Sequence, residues 1–152
     1  MIQRIQSVYL LLAGVAMLLT YFMPLATFTH EGLPVGTLYM RGMSNINGHF
    51  LTTNWALLIL AVLATVGSWA SIFAYKRRQS QMKYVNIVML LVLAFFVAGI
   101  LSAYLQMSHM AGCTVAPAYG VLFPLIAYVF SWMARRGIRK DEELVRSVER
   151  FR

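Results

Sequence analysis

Long uncharged apolar runs alternate with short polar segments along the 152 residues, and this alternation predicts helices that cross a lipid bilayer. A hydrocarbon core about 30 Å thick needs about 20 helical residues at roughly 1.5 Å each. Four runs meet that length, at about 8–28, 55–75, 85–107 and 117–134. Helices are expected rather than strands, because an isolated strand in lipid leaves its backbone groups unpaired. Pro24 is expected to kink or end the first helix, Pro117 to occupy the first turn of the fourth, and Pro124 to bend it. The predicted fold is an all-α membrane protein with a four-transmembrane-helix bundle at 1–134. A basic tail at 135–152 is expected to carry a short amphipathic helix.

The segments between the runs are unequal. Thr29 to Asn54 holds Gly32, Pro34, Gly36, Gly42 and Gly48, and its PVGTLYM stretch has the β-branched and aromatic character of a short strand or small hairpin. Ser108 to Ala116 is short and uncharged. Neither reads as a separate domain. The first apolar run continues past Leu19 to Tyr21 and Phe22, beyond the 7–15 residues of a signal peptide, so an uncleaved first span is expected.

Charge orients the predicted spans. Of 13 basic residues, Arg4, Lys76, Arg77, Arg78, Lys83, Arg135, Arg136, Arg139, Lys140, Arg146, Arg150 and Arg152 fall on one side and Arg41 alone on the other. The positive-inside rule then places both termini and the loop between the second and third spans in the cytoplasm. Tyr75, Tyr84 and Trp132 fit an inner aromatic belt; Trp55, Tyr104 and Tyr119 fit an outer one. A hydrophobic share of 60% and a mean hydropathy of +0.68 exceed the roughly 45–50% apolar content of soluble domains. The net charge of +8 therefore reads as topology, and no nucleic-acid partner is expected.

Polar chemistry is sparse. Ala64, Gly67, Ser68 and Ser71 on the second span, with Ala94, Ala98 and Ser102 on the third, form small-residue ridges suited to close helix packing. No span core holds an ionisable side chain, which disfavours proton relays and ion-coupled transport. A lone Cys113 excludes an internal disulfide and any C-x-x-C motif. His30, Glu31, His49, His109 and Cys113 lie on the outer side. His109 and Cys113, four apart, could face a metal together, but there is no H-E-x-x-H motif, no short-spaced histidine pair and no second cysteine, and haem ligands are missing at depth. Neither enzyme activity, a cofactor nor a metal is expected.

The tail is the distinctive segment. Arg135, Arg136, Arg139 and Lys140 should attract anionic headgroups at the cytoplasmic face. Asp141 could cap a helix on which Leu144, Val145, Val148 and Phe151 share one side, ready to meet the bilayer surface or a protein partner.

The opening MIQRIQSVYLLLAG and closing IRKDEELVRSVERFR together resemble an uncharacterised bacterial family of small four-span membrane proteins, a domain of unknown function, over Met1 to Arg152. The resemblance implies a bacterial cytoplasmic (inner) membrane location and supplies no catalytic residues. The leading functional expectation is a nonenzymatic membrane subunit or scaffold that contacts a larger complex through its tail. The alternative is a carrier for a lipid or small apolar molecule, using space near Pro24 and Pro124.

Overall fold

The computed structural model describes residues 2–74, 78–109 and 112–150. In chain order it holds α1 (Ile2–Leu19), β1 (Ala26–His30), β2 (Leu33–Tyr39), β3 (Gly42–Asn45), β4 (Phe50–Thr53) and α2 (Trp55–Phe73). There follow α3 (Arg78–His109), β5 (Cys113–Pro117), a 3-10 turn (Tyr119–Val121) and α4 (Leu122–Arg150). An all-α fold is therefore the wrong expectation. Five antiparallel strands form one sheet in the order β4-β3-β2-β1-β5.

The sheet draws on two distant connections. Four strands come from the α1–α2 segment, and β5, from the α3–α4 segment, pairs with β1 from Ala26↔Pro117 to His30↔Cys113. Between β1 and β2 the two-residue turn Glu31-Gly32 takes positive φ at both positions, 51° and 82°, the handedness that matches strand twist. One face of the sheet buries Ala26, Phe28, Leu38 and Met43 and meets Ala103 of α3. Thr29 and Thr114 link β1 to β5 through their hydroxyls at 2.7 Å.

The helices pack beneath that face. Each packs on two neighbours, in the cyclic order α1, α2, α3, α4. Their shared core is rich in small side chains: Ala13, Ala16, Ala61, Ala64 and Ala127 stand beside Met17, Leu57, Val88, Val92 and Phe95. Large aliphatic residues point outward instead, among them Ile59, Val62, Val66, Leu90, Val97 and Ile100. This reverses the usual inward bias of apolar bulk in water-soluble domains.

Among the described residues, three helices are long and apolar enough to cross a membrane, over Trp55–Phe73, Ser80–Ser108 and Tyr119–Val145. The expected first span, at 8–28, is not among them. The apolar part of α1 stops at Leu19, short of the roughly 20 residues a bilayer core requires. Beyond it the backbone tightens through turn bonds from Tyr21 N–H to the Leu18 carbonyl and from Phe22 N–H to the Leu19 carbonyl, 3.1 Å each. Pro24 and the start of β1 follow.

Two prolines also act differently from expectation. Pro117 ends β5, and Pro124 is the third residue of α4. In a first turn, proline's missing donor would have no intrahelical acceptor anyway, so no bend is needed.

The expected short tail helix is instead the continuation of α4, which runs unbroken through the change from apolar to charged composition at Trp132. Asp141 does not start a helix. Its carboxylate accepts a 2.8 Å hydrogen bond from the Gln6 amide of α1. Leu10, Val85, Ala134 and Ile138 form a second core cluster at this end, opposite the sheet.

A sheet-capped apolar crevice and an opposing basic end

The sheet does not close fully onto the helices. Leu25, Ala26 and Leu38 floor a crevice of about 270 Å³ whose walls are Phe95, Phe96, Gly99, Ile100 and Ala103 of α3. Val115 and Pro117 of β5, with Val121 and Pro124 at the start of α4, complete it. Every lining residue is apolar. The volume lies near the lower end of ligand pockets, about 300–1,000 Å³, which suits one acyl-chain segment or a small apolar molecule. Gly99 and Ala103, one helical turn apart, keep the α3 wall low and make room.

The crevice is framed by close backbone contact. The Gly120 N–H donates to the Pro24 carbonyl at 3.0 Å, and the Ala118 N–H to the Leu25 carbonyl at 2.9 Å. A side chain at Gly120 would collide with the Pro24 carbonyl. The region near Pro24 and Pro124 was thus legible in sequence. Gly99, Ala103 and Val115 were not, because their convergence needs the β1–β5 pairing. A lone glycine amid bulky residues in the Phe95–Ile100 stretch was the available signal.

The packing residues named from sequence fall as follows. Ala64, Ser68 and Ser71 are buried, and Gly67 lies against Val88. Ser68 and Ser71 hydroxyls donate to the carbonyls of Ala64 and Gly67, at 2.7 Å each, so their polarity is absorbed by their own helix. Ala94 and Ala98 are half-buried on α3. Ser102 accepts a 2.6 Å hydrogen bond from the Asn54 amide, tying the β4–α2 junction to α3.

At the other end, Arg135, Arg136, Arg139 and Lys140 are exposed on α4. Arg136 lies over the Trp132 ring, 5.7 Å from its centroid, and Arg139 pairs with Glu143 at 3.0 Å. Leu144 and Val145 are 52% and 42% exposed. Val148 belongs to the last turns of α4, and Phe151 lies outside the described residues. On the sheet, buried Cys113 has its sulfur 3.9 Å from His30 Nδ1. Among the described residues no group of three metal-capable side chains gathers.

The chain matches the family described as Domain of unknown function (DUF4293) over residues 2–151, and it belongs to that family. No curated protein matches it.

Proposed function

We propose that this member of the family is a nonenzymatic, multipass protein of a bacterial cytoplasmic membrane whose sheet-capped crevice holds a lipid acyl chain or a small apolar molecule. The wholly apolar lining of the crevice carries this reading. Burial of such walls by a ligand gains about 25 cal/mol per Å² of apolar surface taken from water.

Two further observations support the membrane placement. Large aliphatic side chains face outward along the helices. Exposed Tyr84 and Tyr104 stand twenty residues apart on α3, a rise of about 30 Å, which matches the hydrocarbon thickness between two aromatic belts. The orientation follows from charge: the α2–α3 connection and the far end of α4 belong to the basic, cytoplasmic end, with the sheet on the outer side. An impermeant maleimide on intact cells should then label Ile46→Cys, and label Lys140→Cys only after permeabilisation. The reverse pattern would invert the topology.

The binding reading is tested by purification in detergent followed by native mass spectrometry. One acyl-bearing or apolar molecule per chain should survive repeated detergent exchange, and Ala103→Phe should abolish its retention while the fold persists. Unchanged retention in that variant would end the proposal.

A second reading rests on α4. Leu144 and Val145 remain exposed beyond the basic cluster, as a contact for a cytoplasmic or membrane protein would require. A photocrosslinker at residue 144 that captures lipid alone would count against this scaffold role.

A further inference from the structure

The basic end contains a groove of mixed charge. Helical spacing puts Arg135, Arg139, Glu142 and Glu143 on one side of α4, and across from them α3 contributes Met82 and Asn86. Together they line a depression of about 340 Å³ between the two helices. A purely anionic headgroup fits such a groove poorly, since two carboxylates stand beside the two guanidinium groups. A headgroup bearing both a phosphate and a primary ammonium fits both halves.

We propose that this groove is a selective site for a phosphoethanolamine-type phospholipid headgroup, an inference that rests on the membrane placement above but not on the apolar crevice. Arg135 and Arg139 hold the phosphate, for which planar guanidinium donors are suited. Glu142 and Glu143 accept from the ammonium one turn further along α4, and the Asn86 amide donates from the opposite wall. The Arg139–Glu143 pair already present is solvent-exposed, with side chains 71% and 65% accessible, so it yields at little cost to bridging by the headgroup.

Depth supports a lipid occupant over a soluble zwitterion. Trp132 lies one turn before Arg135, and Tyr84 lies beside Asn86 in sequence; both aromatics are exposed, at the level where such rings meet headgroups. Leu90 and Leu93 continue the Asn86 side of α3 at helical spacing and are exposed, giving the acyl chains an apolar track. Basic pockets between membrane helices are established headgroup sites in general. The two glutamates are what give this one its selectivity. Arg136 and Lys140, outside the groove, serve the less selective attraction to anionic lipid.

The full chain is reconstituted in nanodiscs containing equal parts of phosphatidylethanolamine, phosphatidylcholine and phosphatidylglycerol, and retained lipid is read by native mass spectrometry. The expected result is at least fivefold enrichment of the ethanolamine lipid over each of the others. Glu142→Gln with Glu143→Gln should bring the ethanolamine and glycerol lipids to parity. Arg135→Gln with Arg139→Gln should lose retention of both. If that pair of changes impairs folding, Asn86→Leu gives a second variant, and loss of its donor to the shared phosphate should lower retention of the ethanolamine and glycerol lipids alike. Preference for phosphatidylglycerol, equal retention of the ethanolamine and choline lipids, or indifference to the glutamate changes overturns the proposal. Failure to float with liposomes of any composition would instead refute the membrane placement, and the headgroup site with it. Flotation without selectivity refutes the headgroup site alone.

Discussion

The two ends of the molecule are held by different kinds of bond. At the sheet end, backbone pairing joins two connections far apart in sequence, and Phe28, Leu38 and Met43 are buried beneath it. At the basic end the contacts come from side chains: Gln6 to Asp141, Arg139 to Glu143, and Arg136 over Trp132. Backbone ladders specify one register and resist adjustment, whereas long exposed side chains adapt to whatever surface they meet. The first end thus carries a shaped, apolar cavity and the second an exposed groove of mixed charge.

The contrast is broken most directly at Phe28, which is fully buried between sheet and helices. Phe28→Ala should cost about 3–5 kcal/mol by lost burial and the cavity left behind. Thermal unfolding in detergent checks the loss. Retention of the crevice ligand should fall in the same variant, since the sheet that floors the crevice is no longer braced, while headgroup selectivity at the far end persists. Gly42 comes next. Its φ of 148° and its approach to the Thr52 carbonyl leave no room for a side chain. Gly42→Val should cost at least the 1–3 kcal/mol typical of a strained backbone position. Faster amide exchange in β3 and β4, with α1 and α4 protected as before, is the signature to look for.

These two residues also show how much of the fold could be read in advance. The apolar parts of α2, α3 and α4 are legible because hydropathy accumulates along a continuous run, and no partner need be known. PVGTLYM is strand-like by its own composition and falls largely within β2. The rest of the sheet is not legible in that way. Its strands are four to seven residues long, and the β1–β5 pair forms across a separation of 85 residues at Thr29 and Thr114. Nothing local in Cys113–Pro117 names its partner. The tail misled for a related reason. The switch from apolar to charged residues at Trp132 does not end the helix, and α4 continues through it. The crevice shares this history: two prolines marked its neighbourhood, but its walls exist only once β5 has reached β1.

At the basic end a smaller effect is expected from Gln6. Its side chain is buried, lies against Gly137 and donates to the Asp141 carboxylate. Gln6→Ala should destabilise the chain by about 1.5–3 kcal/mol, the range for a hydrogen bond to a charged group. Asp141→Asn should cost less, because the amide oxygen still accepts. If Gln6→Ala also changed ligand retention in the crevice, the two ends would be coupled through α1 and α4, and the division drawn above would need revision.

The Arg139–Glu143 pair gives the smallest stability effect and the sharpest comparison. Both side chains are largely solvated, and an exposed i,i+4 pair contributes about 0.3–0.5 kcal/mol. Glu143→Gln should therefore move the unfolding midpoint by little, and by less still at high salt, where screening weakens what remains. A double-mutant cycle with Arg139→Gln measures the coupling directly. A coupling above about 1 kcal/mol would mean that the pair belongs to the structural framework of this end. The expected near-zero value leaves both charges available to a ligand, because a pair that contributes little to folding can be rearranged at little cost. The same two substitutions that barely shift stability should then shift lipid selectivity strongly, a dissociation that the buried sheet end, where fold and cavity depend on the same residues, does not permit.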